Sequence, residues 1–298
     1  MWEKAEDISR DCLLKRVKGK NGLLVTLTDK VDRELLEAAG SQLKIVSTLS
    51  VGYDHIDVDE CRRRGVLVGN TPDVLTDAVA ELTMALLLAT LRRFFEAHKA
   101  LRDGMWKCWG HFFMCGGMVK GSVVGFVGAG RIGASIMQRL VAFQPAQVLY
   151  NTRNRSPAIA NEKEYGAVYC SALDDLLARS DIVIVCCSLN SSTKHLLGEA
   201  QFRQMKPSAI LINTSRGAVV DQKALYEALK SKQIAAAGLD VMEVEPMPTD
   251  DPLLELDNVV LLPHIGSATF STREAMIRLA VDNLHAGLDG RPLPAAVA

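Results

Sequence analysis

The chain has 298 residues, 48% of them apolar and 23% charged, with a formal charge of −1 at neutral pH. That length exceeds one ordinary hydrophobic core and points to two domains. The near-zero charge gives no reason to expect nucleic acid or an anionic membrane as partner. No apolar run reaches the roughly 20 residues of a membrane span; the longest, residues 82–91, suits a buried helix. The opening Met1-Trp2-Glu3-Lys4 stretch has mixed charge and no apolar run behind it, unlike a secretory leader. The last residues match no retention or peroxisomal address. Seven cysteines, odd in number and without a C-x-x-C pair, suit a reducing cytoplasm.

In chain order, a first strand-helix region offers strands at residues 23–27, 45–48 and 66–68 around a helix at 34–39. One long helix is then expected from Asp77 to about Arg102, with Thr76 or Asp77 as its N-cap. Apolar runs follow at residues 123–127, 148–150, 182–187, 210–212, 235–239 and 259–262, separated by helical stretches at 132–143, 172–178, 199–205 and 222–230. Near-continuous apolar strands alternating with helices imply an α/β fold with a doubly wound parallel sheet. A last helix near residues 272–287 comes too late for that sheet and is expected to return to the first region. The smaller domain is then discontinuous, residues 1–75 with 270–298, around a central domain of 76–269. Two crossings between domains would favour hinge closure over a ligand.

The segment Ser122-Val-Val-Gly-Phe-Val-Gly128-Ala129-Gly130-Arg131-Ile132-Gly133 runs an apolar strand into G-x-G-x-x-G and then a helix. Such a loop gives a tight turn, a close backbone approach to a pyrophosphate and a helix N-terminus that favours its charge. A bare glycine-rich turn is the plain alternative; strand, helix and next strand in the right order favour a dinucleotide. An NAD-type loop should carry an acid about 20 residues on. Here the next strand ends in Asn151-Thr152-Arg153-Asn154-Arg155-Ser156, with no carboxylate. Two guanidiniums and two hydroxyls there suit a ribose 2′-phosphate, so NADP(H) is preferred over NAD(H), with a solvated basic turn as the other reading.

Three ionisable residues end apolar runs in the last third: Arg216 after residues 210–212, Glu245 after 235–239 and His264 after 259–262. Ligands of open α/β sheets bind beyond the carboxyl ends of the strands. A cation, a carboxylate and an imidazole there could bind an anionic carbonyl compound and give it a proton. The bland readings are an interface arginine and a solvated carboxylate. The remaining histidines, His55, His98, His111, His195 and His285, have no motif and read as surface or satisfied core residues. No His/Cys/Asp/Glu spacing suggests a metal. The aromatic stretch Gly104-Met105-Trp106-Lys107-Cys108-Trp109-Gly110-His111-Phe112-Phe113 reads as a dimerisation arm, with a core aromatic cluster as the other reading.

With these motifs in hand, the chain resembles the D-isomer-specific 2-hydroxyacid dehydrogenases from about Gly22 to Pro294, and within them the glyoxylate/hydroxypyruvate reductases. Val127-Gly128-Ala129-Gly130-Arg131-Ile132-Gly133, Asn213-Thr214-Ser215-Arg216-Gly217, Gly238-Leu239-Asp240-Val241 and Pro263-His264-Ile265-Gly266-Ser267 carry the likeness. The resemblance implies a Rossmann cofactor domain beside a smaller flavodoxin-like domain, and NADPH-dependent reduction of small 2-oxoacids; the cysteine usage and the aromatic arm add the expectation of a cytoplasmic homodimer. It makes His264 the acid/base, Glu245 the carboxylate that fixes its tautomer, and Arg216 the grip on the substrate's carboxylate and carbonyl oxygens. Val51 and Gly52 match a backbone nest for the substrate carboxylate, and Ser267 completes the loop after His264. Thr76, Ser188, Thr214, Asp240 and Gly266 match cofactor contacts, although an acid placed like Asp240 could instead cap the following turn. Trp109 is expected to reach the partner's site and limit substrate size. Family members carry one more strand ahead of the matched region, and this chain is expected to lack it, leaving a sheet edge unpaired. A dinucleotide-sensing corepressor of the same fold, or a relative acting on formate, phosphite or phosphoglycerate, is the competing expectation.

Overall fold

Alternate residues of each apolar run face opposite sides of a strand, and this chain uses both sides. In the computed structural model, which describes residues 8–159 and 165–297, Ile182 and Ile184 bury on one face of their strand while Val183 and Val185 bury on the other. Ile210 and Ile212 likewise oppose Leu211. Such strands are stable only with helices on both faces. The reading of residues 1–4 as unlike a secretory leader falls outside the described residues.

The chain divides into two units, Thr76–Gly266 and Met1–Leu75 with Ser267–Ala298. The larger holds seven parallel strands: β4 (Val123–Val127), β5 (Gln147–Asn151), β6 (Ala167–Tyr169), β7 (Ile182–Val185), β8 (Ile210–Asn213), β9 (Ala236–Leu239) and β10 (Val259–Leu261). They lie in the order β10-β9-β8-β7-β4-β5-β6. Helices α4 (Thr76–Leu91) and α6 (Arg131–Leu140) cover one face, and α7 (Leu173–Arg179), α8 (Glu199–Gln204) and α9 (Gln222–Lys230) the other. Phe126, Leu149 and Tyr150 are fully buried between these layers, each contributing roughly 1.5–3 kcal/mol. Cys186 and Cys187 follow β7 and pack against this core. Strand β6 is an addition to the elements read from the sequence.

The expected single helix to Arg102 is two. Helix α4 stops at Leu91, Arg93 takes a left-handed conformation (φ 55°), and α5 (Phe94–Arg102) starts anew. The cause is a loop docking on the helix end. The amide of Gly117 donates to the carbonyl of Leu91 at 3.0 Å, and a Cβ on Gly116 would sit 2.2 Å from that oxygen. Arg93 closes the break by bonding Glu96 at 2.8 Å and the carbonyl of Cys115 at 3.2 Å. Helix α4 begins at Thr76 itself.

The smaller unit has parallel strands β1 (Gly22–Val25), β2 (Ile45–Thr48) and β3 (Leu67–Gly69) in sequential order. Among the described residues, the outer edge of β1 has no strand partner. Helices α1 (Arg10–Arg16), α2 (Arg33–Ala39) and α3 (Val58–Arg63) accompany it, α1 and α3 being additions to the sequence reading. The last helix, α10 (Phe270–Leu288), lies on the same sheet. A Cβ on its Gly287 would come within 2.5 Å of Ile45, so helix and sheet meet at close range. Buried Asn283 of α10 donates to the carbonyl of Asn70 at 2.9 Å and accepts the amide of Ala295. No described helix is long and apolar enough to cross a membrane.

Candidate active site

A parallel sheet puts every strand's carboxyl end on one edge. The glycine loop after β4, Arg216 after β8, Glu245 after β9 and His264 after β10 therefore lie along the same edge of one unit.

At the end of β8, Asn213 folds the chain back on itself. Its side-chain oxygen accepts the amide and hydroxyl of Ser215 at 3.0 and 2.9 Å, and its amide nitrogen donates to the carbonyl of Arg216 at 2.9 Å. This Asx-type turn sets the direction of Arg216, whose Nη1 donates to the carbonyl of Ser215. Next door, a Cβ on Gly217 would lie 1.9 Å from the carbonyl carbon of Met242, so only glycine lets the β8 and β9 loops approach this closely. The hydroxyl of Thr214 meets that of Thr83 at 2.8 Å.

His264 is held at φ 53° by the turn that follows Pro263, and its Nδ1 lies 2.6 Å from Oε2 of Glu245. The other Glu245 oxygen accepts the amide of Met242 at 2.9 Å. Burial alone would raise the Glu245 carboxyl. The hydrogen bond and charge of His264, the Met242 amide and the charge of Arg216 outweigh it and leave the group below the usual range. With Nδ1 engaged, Nε2 is the imidazole atom left to serve a substrate.

Asp240 is 1% exposed and caps the turn that carries His264. Its two oxygens accept the amides of Ile265 and Gly266 at 2.8 and 2.7 Å. Burial raises its carboxyl, only partly offset by those amides and by His264.

In the glycine loop, Gly128 has φ 89°, and a Cβ there would lie 2.5 Å from the backbone nitrogen of Cys187. Around Gly130, at the N-cap of α6, a Cβ would meet nothing within 4 Å. The backbone there is thus an open cradle ahead of a helix N-terminus, which fits a pyrophosphate. Gly133 departs from the sequence argument, since a Cβ there would make only ordinary contacts, the nearest at 3.5 Å. Arg131 is exposed and Ile132 half-buried at the start of α6.

After β5, Arg153, Asn154 and Arg155 are exposed. Arg155 lies over the ring of Tyr169 at 5.6 Å, and Tyr169 donates to the carbonyl of Thr152 at 3.1 Å. The hydroxyl of Ser156 donates to the carbonyl of Ala129, tying this turn to the glycine loop. The hydroxyl of Thr152 donates to the carbonyl of Asn154 at 2.5 Å. Both hydroxyls counted toward a phosphate site are thus engaged within the protein. Ser188 is exposed, its carbonyl accepting the Thr193 hydroxyl at 2.7 Å. Thr76 is half-buried at the start of α4.

Val51, Gly52 and Ser267 belong to the smaller unit. The carbonyl of Val51 accepts Asn70 at 2.9 Å and that of Gly52 accepts Ser50 at 2.6 Å. Ser50 meets Thr48, which also contacts Nε2 of His55 at 3.0 Å. Ser267 is half-buried, its carbonyl accepting the amide of Thr269. Trp109 is 73% exposed, with His111 edge-on at 4.8 Å, and Trp106, Phe112 and Phe113 are exposed as well. This excludes the core reading of the aromatic stretch.

His195, which reads from the sequence as a surface or satisfied core residue, has a carboxylate partner. Its Nε2 lies 2.7 Å from Oε1 of Glu243, a second imidazole–carboxylate pair in the loop that bears Glu245. A separation of 48 residues leaves no motif from which to read it.

The sequence model described as D-isomer specific 2-hydroxyacid dehydrogenase, NAD binding domain, matches residues 84–266. The chain is 48% identical to the human glyoxylate reductase/hydroxypyruvate reductase, covering 98% of this chain and 88% of the relative. It is 47% identical to a glyoxylate reductase of Thermofilum pendens, with 97% and 84% covered. A crystal structure of the NADPH-dependent glyoxylate/hydroxypyruvate reductase of Sinorhizobium meliloti, in complex with NADP and malonate, superposes with a TM-score of 0.84 at 38% identity, covering 93% of this chain and 84% of that one. The chain belongs to the D-isomer-specific 2-hydroxyacid dehydrogenases. Its larger unit is their NAD-binding Rossmann domain.

Proposed function

We propose that this chain reduces glyoxylate to glycolate and hydroxypyruvate to D-glycerate, with NADPH preferred over NADH. The glycine loop from Gly128 to Gly133 would hold a reduced nicotinamide dinucleotide, which would supply the hydride for the carbonyl carbon. The protein's part is to hold the substrate and move a proton. Arg216 takes the carboxylate and carbonyl oxygens of the 2-oxoacid in its planar fork. His264 gives the proton on Nε2 to the carbonyl oxygen as the bond to carbon forms. Glu245 keeps the Nδ1 side of the ring occupied and stabilises the imidazolium before transfer. Arg153 and Arg155 are assigned to a ribose 2′-phosphate. The observation that carries this reading is the 2.6 Å contact between His264 and Glu245 on the sheet edge that also bears the open glycine cradle; relatives named for these substrates agree with it.

We further propose a homodimer formed through the aromatic arm, in which Trp109 limits substrate size. Met105, Trp106, Trp109, Phe112, Phe113 and Met118 are all exposed, and large apolar side chains exposed together along one segment suit a subunit contact.

A steady-state comparison of NADPH and NADH on glyoxylate, hydroxypyruvate and pyruvate tests the reading by reduced-nicotinamide absorbance. Turnover fastest with NADPH and the first two acids is expected. His264→Asn should lower kcat by about 10²–10⁴-fold while NADPH binding persists. A wild-type chain that binds NADPH but reduces no 2-oxoacid would instead be a dinucleotide sensor.

A further inference from the structure

We infer that His195 is a positioning residue for the Glu245–His264 pair: through Glu243 it braces the loop bearing Glu245 against the segment bearing Arg216. The inference rests on the proposed reduction for its kinetic consequence, and on geometry alone for the brace.

The segment around His195 is fastened to the residues just beyond Arg216. The amide of His195 donates to the carbonyl of Ala218 at 2.8 Å, that of Leu197 to Val219 at 3.1 Å, and that of Asp221 back to Leu197 at 2.9 Å. His195 itself sits at φ 51°, a left-handed conformation that a non-glycine residue keeps only when its surroundings enforce it. From there Nε2 reaches Oε1 of Glu243 at 2.7 Å. The amide of Glu243 donates to the side-chain oxygen of Gln222 at 2.9 Å, whose nitrogen donates to Asp251 at 2.7 Å. One residue before Glu243, the amide of Met242 donates to Glu245, which holds His264. Behind both, Gly217 lies against the backbone of Met242 with no room for a Cβ. A continuous path therefore runs from Arg216 and Ala218 through His195 and Glu243 to Glu245 and His264. A neutral imidazole protonated on Nε2 can still donate this bond, so the brace does not depend on the charge of His195.

The side chains of His195 and Glu243 are 39% and 31% exposed. A side-chain contact so open to water contributes little to global stability, so its loss should register in rate rather than in folding. Displacement of a catalytic group by about 1 Å costs rate steeply.

The test measures kinetics and amide exchange on the full chain. His195→Ala should lower kcat on glyoxylate about tenfold with KM for NADPH unchanged. His195→Gln, whose side-chain nitrogen reaches the same carboxylate oxygen, should restore most of it. Glu243→Ala should reproduce the loss, and the double variant should be no slower than the slower single. Amide deuterium exchange at residues 241–245 should quicken in His195→Ala while that of β4 stays as in the wild type. Unchanged kcat, additive losses or unchanged exchange would each overturn the brace. If the wild type reduces no 2-oxoacid, the proposed activity fails and the exchange experiment alone decides the brace. Should His195→Ala not fold, the exchange comparison of Glu243→Ala and His195→Gln with the wild type decides it.

Discussion

Oδ2 of Asp240 accepts the amide of Gly266 at 2.7 Å, so the turn that aims His264 hangs from the end of the neighbouring strand. Aspartate supplies two acceptors where two amides need them, and the cost of burying its charge is the cost of that service. Asp240→Ala relieves the burial but leaves the amides of Ile265 and Gly266 without their acceptors, roughly 1–3 kcal/mol each. The loss outweighs the relief. Thermal unfolding should show a Tm lower by about 5–10 °C, together with a reduced kcat.

The depressed carboxyl of Glu245 has a defined pH signature. Its folded-state value lies below the ordinary 4.5, so its contribution to stability is fully present above that pH. The contribution is lost as pH falls through the lower, folded-state value. Glu245→Gln should flatten the acid limb of Tm against pH relative to the wild type. It should also lower kcat by on the order of 10²-fold, since an amide cannot stabilise the imidazolium as a carboxylate does. A Glu245→Gln acid limb as steep as the wild type's would contradict this.

Arg153 and Arg155 should separate in their effects. Arg155 also covers the ring of Tyr169, so its removal disturbs packing as well as any phosphate contact. Arg153→Ala is the cleaner probe. A lost charge-assisted hydrogen bond of about 1.5–3 kcal/mol should raise KM for NADPH roughly 10–100-fold and leave KM for NADH nearly unchanged. Equal losses with both cofactors would count against a 2′-phosphate role.

Gly128→Ala should abolish cofactor binding. Its left-handed backbone and the 2.5 Å approach to Cys187 leave the new methyl no relief except movement of main chain. Gly133→Ala, with ordinary contacts only, should bind NADPH within a few-fold of the wild type. Fluorescence titration of NADPH distinguishes the two.

The parts legible in the sequence are those whose cause is local. Apolar runs with helices between them gave six of the larger unit's strands, and the glycine loop and the residues at strand ends marked the sheet edge where Arg216, Glu245 and His264 lie. What escaped was set by distant contacts or by a weak local pattern. Nothing near Leu91 announces that Gly116 and Gly117 will dock there and end α4. Strand β6 is as short as β3 and β10 but, as Ala167-Val168-Tyr169, lacks the run of branched aliphatic residues that marks those two. His195 lacks any motif because its partner is supplied by another loop.

The thiols divide the molecule in a way that chemistry can exploit. Burial pushes Cys61 and Cys187 up to about 11 and raises Cys170 and Cys186 as well, so at neutral pH these four are protonated and poor nucleophiles. Among the described residues the exposed cysteines are Cys108 and Cys115, the first among the arm's aromatic residues and the second just after them. A maleimide dye should therefore attach at the arm and spare the cofactor loop, and its emission would report directly on whether two copies meet there.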